Sequence, residues 1–252
     1  MSDLVLSLFP GADLFGMGFE QEGFCVVRGP DVQFGGDIRG FHPPAGRFDG
    51  VIGGPPCQAF SSLSGGESKA ENLIPEFERV VGEAQPVWFV MENVRQAPEP
   101  VVNGYVTQSR LLDDRWLGEE QSRLRRFTCG HRIKLHSGDT FRHQNLRWSF
   151  DTDLVALENP TKSGCFTANG TQWEPGVATK RGRKRGRSRS CRTEAEFKRG
   201  CRLQGLPAGF LDKSPFTVEG KIRLVGNGVP LPMARAVARA VKRALGIKTE
   251  AA

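Results

Sequence analysis

Short apolar runs that end in glycine or proline alternate with stretches of helical period through the first third of the chain. Leu4-Val5-Leu6-Ser7-Leu8-Phe9 reads as a buried strand stopped by Pro10-Gly11. Residues 14–21 predict a helix and 24–27 a second strand. Residues 49–52 predict a third strand, which runs into Gly53-Gly54-Pro55-Pro56. A helix follows over 74–83, with Phe77, Val80 and Val81 at helical spacing, and then a strand over 87–91. Residues 118–127 carry an Arg-x-Arg strand pattern. From 128 to 192 the alternation fades into Gly, Ser, Thr, Asn and charged residues. A last amphipathic helix over 231–245 puts Met233, Val237, Val241 and Leu245 on one face. Strand, glycine turn, helix, strand is the opening of a nucleotide-binding α/β sheet, so an α/β fold is expected.

Composition narrows the picture. A chain of 252 residues can hold one good core with a small appendage. No apolar run approaches the roughly 18 residues of a membrane span, and no signal peptide opens the sequence. Six cysteines lack the dense, regular spacing of a disulfide scaffold, which points to a reducing cytoplasm. The formal net charge of +7 suggests a polyanionic partner without separating DNA from RNA or acidic membrane. Its densest part is the block from Lys180 to Arg192. Cys129, His131, His136 and His143 invite a zinc reading, but their spacing fits no standard ligand pattern. Basic surface is the preferred reading there, and no metal is expected.

Cys57 follows the Gly-Gly-Pro-Pro break, so its thiol would stand at the carboxyl end of a strand, where open α/β sheets bind ligands. A thiolate there is a strong nucleophile; the plainer reading is a small buried cysteine beside a turn. Glu92, at the end of the 87–91 strand, could be a solvated acid, a helix cap or a ligand-binding group. Arg123 and Arg125 would point to one side of a strand, either into a site or into solvent.

Three stretches occur in a telling order: Pro55-Pro56-Cys57-Gln58, Glu92-Asn93-Val94 and Gln121-Ser122-Arg123-Leu124-Arg125. Together they resemble the DNA (cytosine-5) methyltransferase family, over nearly the whole chain from about Leu4 to Leu245. The resemblance implies a Rossmann-like S-adenosylmethionine-dependent methyltransferase sheet with a small, irregular target-recognition domain. Residues 1–127 would be the first part of the catalytic domain, 128–210 the recognition region and the family's ninth motif, and 211–252 a segment returning to the catalytic domain.

The resemblance also assigns roles. Cys57 would be the nucleophile, Glu92 would hold N3 and the exocyclic amine of cytosine, Arg125 would bond the cytosine O2, and Arg123 would support the pocket. S-adenosyl-L-methionine would lie against Phe9, Gly11, Asp31, Asp37, Ile38, Pro55, Leu73 and Asn227. Asp31 stands one position beyond the family's ribose-binding glutamate, and Asp13 occupies a family glycine position. Ser61 and Ser64 belong to the loop that closes over DNA, and Thr167 matches the threonine-centred signature of the recognition region. Arg183, Lys184, Arg185 and Arg187 would follow the DNA backbone. The implied partner is double-stranded DNA, with a cognate restriction endonuclease as a possible companion, and the protein would be a monomer in the cytoplasm of a bacterial or phage-infected cell.

Three rivals stay open. Cys165-Phe166-Thr167 echoes the start of a segment in tRNA-modifying relatives, although the tyrosines that follow it there are absent. The departures at Asp13 and Pro30 would suit a DNA-binding relative with a decayed site. A cysteine hydrolase would need a histidine base, and His42, His131, His136 and His143 fall in loops or in the variable region.

Overall fold

The apolar runs become neighbouring strands because each is too short for a helix; Leu4–Leu8, Gly50–Gly53 and Trp88–Asn93 are buried on both faces, while Cys25–Arg28 forms an exposed edge. In the computed structural model, which describes residues 3–56, 71–132, 148–150, 153–155, 165–168, 170–171 and 193–247, four of them are parallel: β1 (Leu4–Leu8), β2 (Cys25–Arg28), β3 (Gly50–Gly53) and β4 (Trp88–Asn93). Two more, β5 (Tyr105–Asp113) and β6 (Leu124–Arg132), form an antiparallel hairpin. β6 also pairs antiparallel with β4, which gives the order β2-β1-β3-β4-β6-β5.

Alternate side chains of these strands serve two core layers. Val5, Ile52, Trp88 and Val90 face α1 (Leu14–Gln21) and α5 (Leu231–Leu245), through Phe15, Phe19, Met233 and Val237. Leu6, Leu8, Val51, Phe89 and Met91 face α2 (Ile74–Ala84), through Phe77, Val80 and Val81. The sheet is therefore covered by helices on both faces, as a Rossmann-like α/β fold requires. Gly18 lets α1 and α5 touch, since a Cβ there would stand 2.3 Å from that of Ala234.

A third cluster forms the appendage. It joins Phe166 of β7 (Phe166–Thr167) to Phe197 and Cys201 of α3 (Glu194–Leu203) and to Ile222 and Val225 of α4 (Val218–Asn227). The short strand β8 (Gly170–Thr171) pairs with β7.

One expectation of local structure changes. The strand expected over 118–127 starts only at Leu124 and runs on to Arg132. Residues 114–117, just before that stretch, make a 3₁₀ turn capped by the Asp113 carboxylate on the Arg115 amide at 3.1 Å. β5 and α4 had no counterpart in the hydropathy pattern. β5 is an edge strand with much of its length open to solvent, so its sequence lacks the sustained apolar run of a central strand.

Candidate active site

Strand order turns at β1, with β2 on one side and β3 on the other. The carboxyl ends of β1 and β3 thus flank the crevice where such sheets bind ligands. Gly53 pairs with Leu8 there, and a Cβ on it would come 3.0 Å from the Leu8 carbonyl oxygen. The loop leaving β1 bends sharply: Phe9, Gly11 and Asp13 have φ of 54°, 54° and 55°. Glycine adopts this freely, whereas for Phe9 left-handed backbone costs about 1–2 kcal/mol, strain of the kind that gathers beside ligand sites.

Asp31 reaches this loop. Its Oδ2 accepts the Gly11 amide at 2.9 Å while Oδ1 caps the turn Val32–Phe34 by accepting from the Gln33 amide at 2.8 Å. Asp37 is exposed and caps the next turn, Ile38–Gly40. The Arg39 guanidinium donates to both of its oxygens at 2.7–3.1 Å and holds the carboxyl below its ordinary pKa. The Ile38 side chain is buried in the same core layer as Leu8 and Ile74, and half-buried Phe9 and Leu73 pack against that layer. Asn227 ends α4, exposed, between Gly226 and Gly228.

The end of β4 supplies a second group. Glu92 is buried, and its Oε1 lies 3.0 Å from Arg125 Nε. Burial pushes the Glu92 carboxyl above its ordinary pKa, and the positive charges of Arg125 and Arg123 pull it back only in part. Breaking such a buried pair from one side costs about 3–5 kcal/mol. Neighbouring Asn93 donates through Nδ2 to the Pro55 carbonyl at 3.2 Å. Gly54 lies so close to Glu92 that a Cβ would stand 3.0 Å from its Oε2. The break that leads toward Cys57 is therefore fastened beside the Glu92–Arg125 pair. Cys57 itself lies outside the described residues, as do Ser61, Ser64, Arg183, Lys184, Arg185 and Arg187.

Arg123 takes a different direction from Arg125, because it precedes β6 instead of lying in it. Its guanidinium is buried and donates to the carbonyls of Phe166 at 2.6 Å, Gly226 at 3.2 Å and Gly228 at 3.0 Å. It thereby ties β7, and with it Thr167, to the residues on either side of Asn227. Gln121 completes a buried knot: Nε2 donates to Asp114 Oδ2 at 2.6 Å and to the Leu203 carbonyl at 2.7 Å, and Oε1 accepts from the Phe166 amide at 3.3 Å. Gln204 donates to the Val225 carbonyl at 2.7 Å. Gln121 and Asn93 stand inside motifs quoted above, yet neither they, Asp114 nor Gln204 were singled out from the sequence.

The residues around the crevice suit S-adenosylmethionine. Carboxylates at Asp31 and Asp37 can accept from a ribose diol and an exocyclic amine, and Phe9 and Leu73 offer apolar surface for a purine. The sheet, with three parallel strands meeting at β1 and an antiparallel hairpin beyond β4, has the Rossmann-like fold of solved methyltransferases. Residues 35–173 match the family described as C-5 cytosine-specific DNA methylase, more than half of the chain. The chain belongs to that family, whose members and fold depend on S-adenosylmethionine.

Among relatives, the Type II methyltransferase M.HgiDI of Herpetosiphon aurantiacus is 38% identical over an alignment of 95 residues, with coverage of 32% of this chain and 30% of that protein. The Type II methyltransferase M.FnuDI of Fusobacterium nucleatum is 30% identical over an alignment of 164 residues, with coverage of 52% of this chain and 48% of that protein. The chain thus spans less than half the length of these relatives. Solved structures of similar fold include the S. pombe Dnmt2 methyltransferase, with a TM-score of 0.62 at 15% identity, covering 97% of this chain and 98% of that one. A protein described as a DNA modification methyltransferase from an E. coli prophage gives 0.63 at 17%, covering 97% of this chain and 100% of that one. No described helix is long and apolar enough to cross a membrane, and no group of three or more His, Cys, Asp or Glu among the described residues could hold a metal.

Proposed function

We propose that the protein is a DNA (cytosine-5-)-methyltransferase, which methylates C5 of a cytosine flipped out of double-stranded DNA through a covalent adduct on Cys57. The observation that carries this reading is the buried Glu92–Arg125 pair, held beside the break that leads to Cys57. C5 of cytosine is a poor nucleophile until the ring is activated. Addition of the Cys57 thiolate to C6 forms a C–S bond and sends an electron pair toward C5 and N3. Glu92, whose burial favours its protonated form, supplies the N3 hydrogen bond or proton that makes this addition feasible. Arg125 would bond the cytosine O2 while steadying Glu92. S-adenosylmethionine, when bound, supplies an electrophilic methyl group for C5. Transfer of the C5 proton to water, return of the N3 proton to Glu92 and expulsion of the thiolate would then restore the aromatic ring and free Cys57.

DNA is the favoured substrate because the relatives named above are Type II methyltransferases and because the chain is basic. Unstacking the target base costs a few kcal/mol, to be offset by contacts from Ser61, Ser64, Thr167 and the basic run. On this reading residues 1–127 begin the catalytic domain, 128–210 read the target, and 211–252 complete the cofactor side. The protein would act as a cytoplasmic monomer, with a cognate restriction endonuclease as its counterpart.

Bisulfite sequencing of DNA from cells expressing the protein should give protected cytosines in one sequence context. Duplex DNA with 5-fluorocytosine in that context should then trap the enzyme, since fluorine cannot leave as a proton does. Cys57→Ser should abolish both adduct and turnover, and Glu92→Gln should slow turnover far more than it weakens DNA binding. Methylation of tRNA with none of duplex DNA, or an adduct mapped to another cysteine, would overturn the proposal.

A further inference from the structure

The β1–α1 loop carries an acid in a backbone conformation that glycine would adopt more readily. Asp13 sits at φ 55°, in the left-handed region that few L residues other than Asn and Asp enter. Its carboxylate is 1% exposed and has partners on three sides. Oδ1 accepts the Ser7 hydroxyl at 2.7 Å and the Gly16 amide at 3.1 Å, and Oδ2 accepts Arg28 Nε–H at 2.8 Å. Space for it is made by Gly16, where a Cβ would stand 2.4 Å from Oδ2. Capping α1 explains only the Gly16 bond. The Ser7 and Arg28 bonds come from β1 and from the carboxyl end of β2. Asp31, just past β2, takes the Gly11 amide at 2.9 Å, so the loop is tied twice to the segment leaving β2.

We propose that Asp13, held by Arg28, is a positioning residue for the cofactor: the pair fixes the loop of Phe9 to Asp13 in the shape that receives S-adenosylmethionine. This rests on the reading of the β1–β3 crevice as the cofactor site. The reason for needing such a fixture is local. Phe9, Gly11 and Asp13 are all left-handed, and a loop of that shape relaxes unless its surroundings over-determine it. Burial raises the Asp13 pKa, while the Ser7 bond, the Arg28 charge and the Gly16 bond act against it. The Arg28 guanidinium, 2.8 Å from Oδ2, is the partner that favours the charged carboxylate against that burial.

Asp13→Asn keeps the size, the tolerance of positive φ and the cap while removing the charge. Arg28→Met removes the partner from its exposed side, and the double variant removes both. Hydrogen exchange of the peptide spanning residues 9–16, measured without ligand, should speed up in each single variant, while peptides from β4 and α5 exchange as in wild type. The Kd for S-adenosylhomocysteine by calorimetry should rise about tenfold, the equivalent of ~1.4 kcal/mol. Steady-state kinetics should place most of the loss in KM for S-adenosylmethionine rather than in kcat. The double variant should bind no worse than the weaker single one, since two residues acting as one unit do not add. Wild-type exchange and affinity in both single variants, additive losses in the double one, or a fall in kcat at unchanged KM would each overturn the proposal. A wild-type protein that binds no S-adenosylhomocysteine would instead count against the cofactor reading, and the exchange rates would still decide whether the pair holds the loop.

Discussion

Asp114 carries a carboxylate into the centre of the buried polar knot and satisfies only half of it. It is 0% exposed; Oδ2 has the Gln121 amide, while Oδ1 has no hydrogen-bond partner among the described residues. Glu92 is buried too, but it has a guanidinium at 3.0 Å. Burial pushes the Asp114 carboxyl up to about 7, against the Gln121 bond and the Arg123 charge, with Glu119 and Asp113 adding to the rise. A folded-state pKa raised above the ordinary 3.8 means that the proton binds the native state better. That contribution to stability is fully present below about pH 4 and is lost as pH rises through about 7. At ~1.4 kcal/mol per pK unit, roughly 4 kcal/mol is at stake as an upper bound. Asp114→Asn is neutral at every pH and can still accept from Gln121. Its melting temperature relative to wild type should therefore climb by several degrees between pH 5 and pH 8.5. Groups common to both proteins, Glu92 included, cancel in that difference. Parallel melting curves across the range would show that Asp114 does not change charge there.

Some elements of this protein meet at bare backbone, and glycine substitutions read the difference. Gly226 in α4 abuts β7: a Cβ there would lie 2.1 Å from the Thr167 carbonyl carbon and 2.4 Å from the Ala168 nitrogen. Backbone cannot give way as a side chain can, so Gly226→Ala should destabilise by about 1–3 kcal/mol. It should also speed exchange of the Phe166 amide, whose carbonyl Arg123 holds. Gly82 in α2 is exposed, with nothing within 4 Å of a Cβ, and Gly82→Ala should stabilise by about 0.5–1 kcal/mol. Melting temperatures that move in the same direction for both would contradict this account of α4 and β7. The same contrast explains what was legible in the sequence. α1 and α5 follow from their periodicity because each packs one apolar face on a neighbour, and β4 follows because it is buried throughout. The Glu92 and Arg125 motifs pointed to residues that do meet. Gln121, Gln204 and Asp114 escaped because a hydropathy pattern places such side chains outside, and only the partners supplied by distant segments make them fit inside. Arg123 was named from the sequence and only its direction was missed: alternation predicts a shared side with Arg125, but the strand begins one residue later, and the two guanidinium groups diverge. The pairing of Asp37 with Arg39 is local, yet no rule of spacing announces it.

Taken as a whole, the molecule owes its net charge to one short run. Lys180 to Arg189 contains seven basic residues and no acidic one, and the other twenty-eight Lys and Arg are matched by twenty-eight Asp and Glu. The run lies outside the described residues and beyond the stretch, 35–173, that matches the family. Two roles compete for it. As a solvated linker between the recognition region and α3 it would leave DNA affinity untouched. As a phosphate-binding strip it would add affinity and salt dependence without sequence information, because phosphates are the same at every base pair. The even balance of charge elsewhere favours the second role, since long-range attraction to a polyanion then has this run as its main source. Each lost phosphate contact lowers the slope of log affinity against log salt by about 0.9. Replacing Arg183, Lys184, Arg185 and Arg187 with Ser should therefore weaken binding to duplex DNA and flatten its salt dependence by up to about 3.6 units of slope. The methylated sequence context, read by bisulfite sequencing, should stay the same. Unchanged affinity and slope would make the run a linker, and an altered context would mean that some of these arginines reach base edges in a groove.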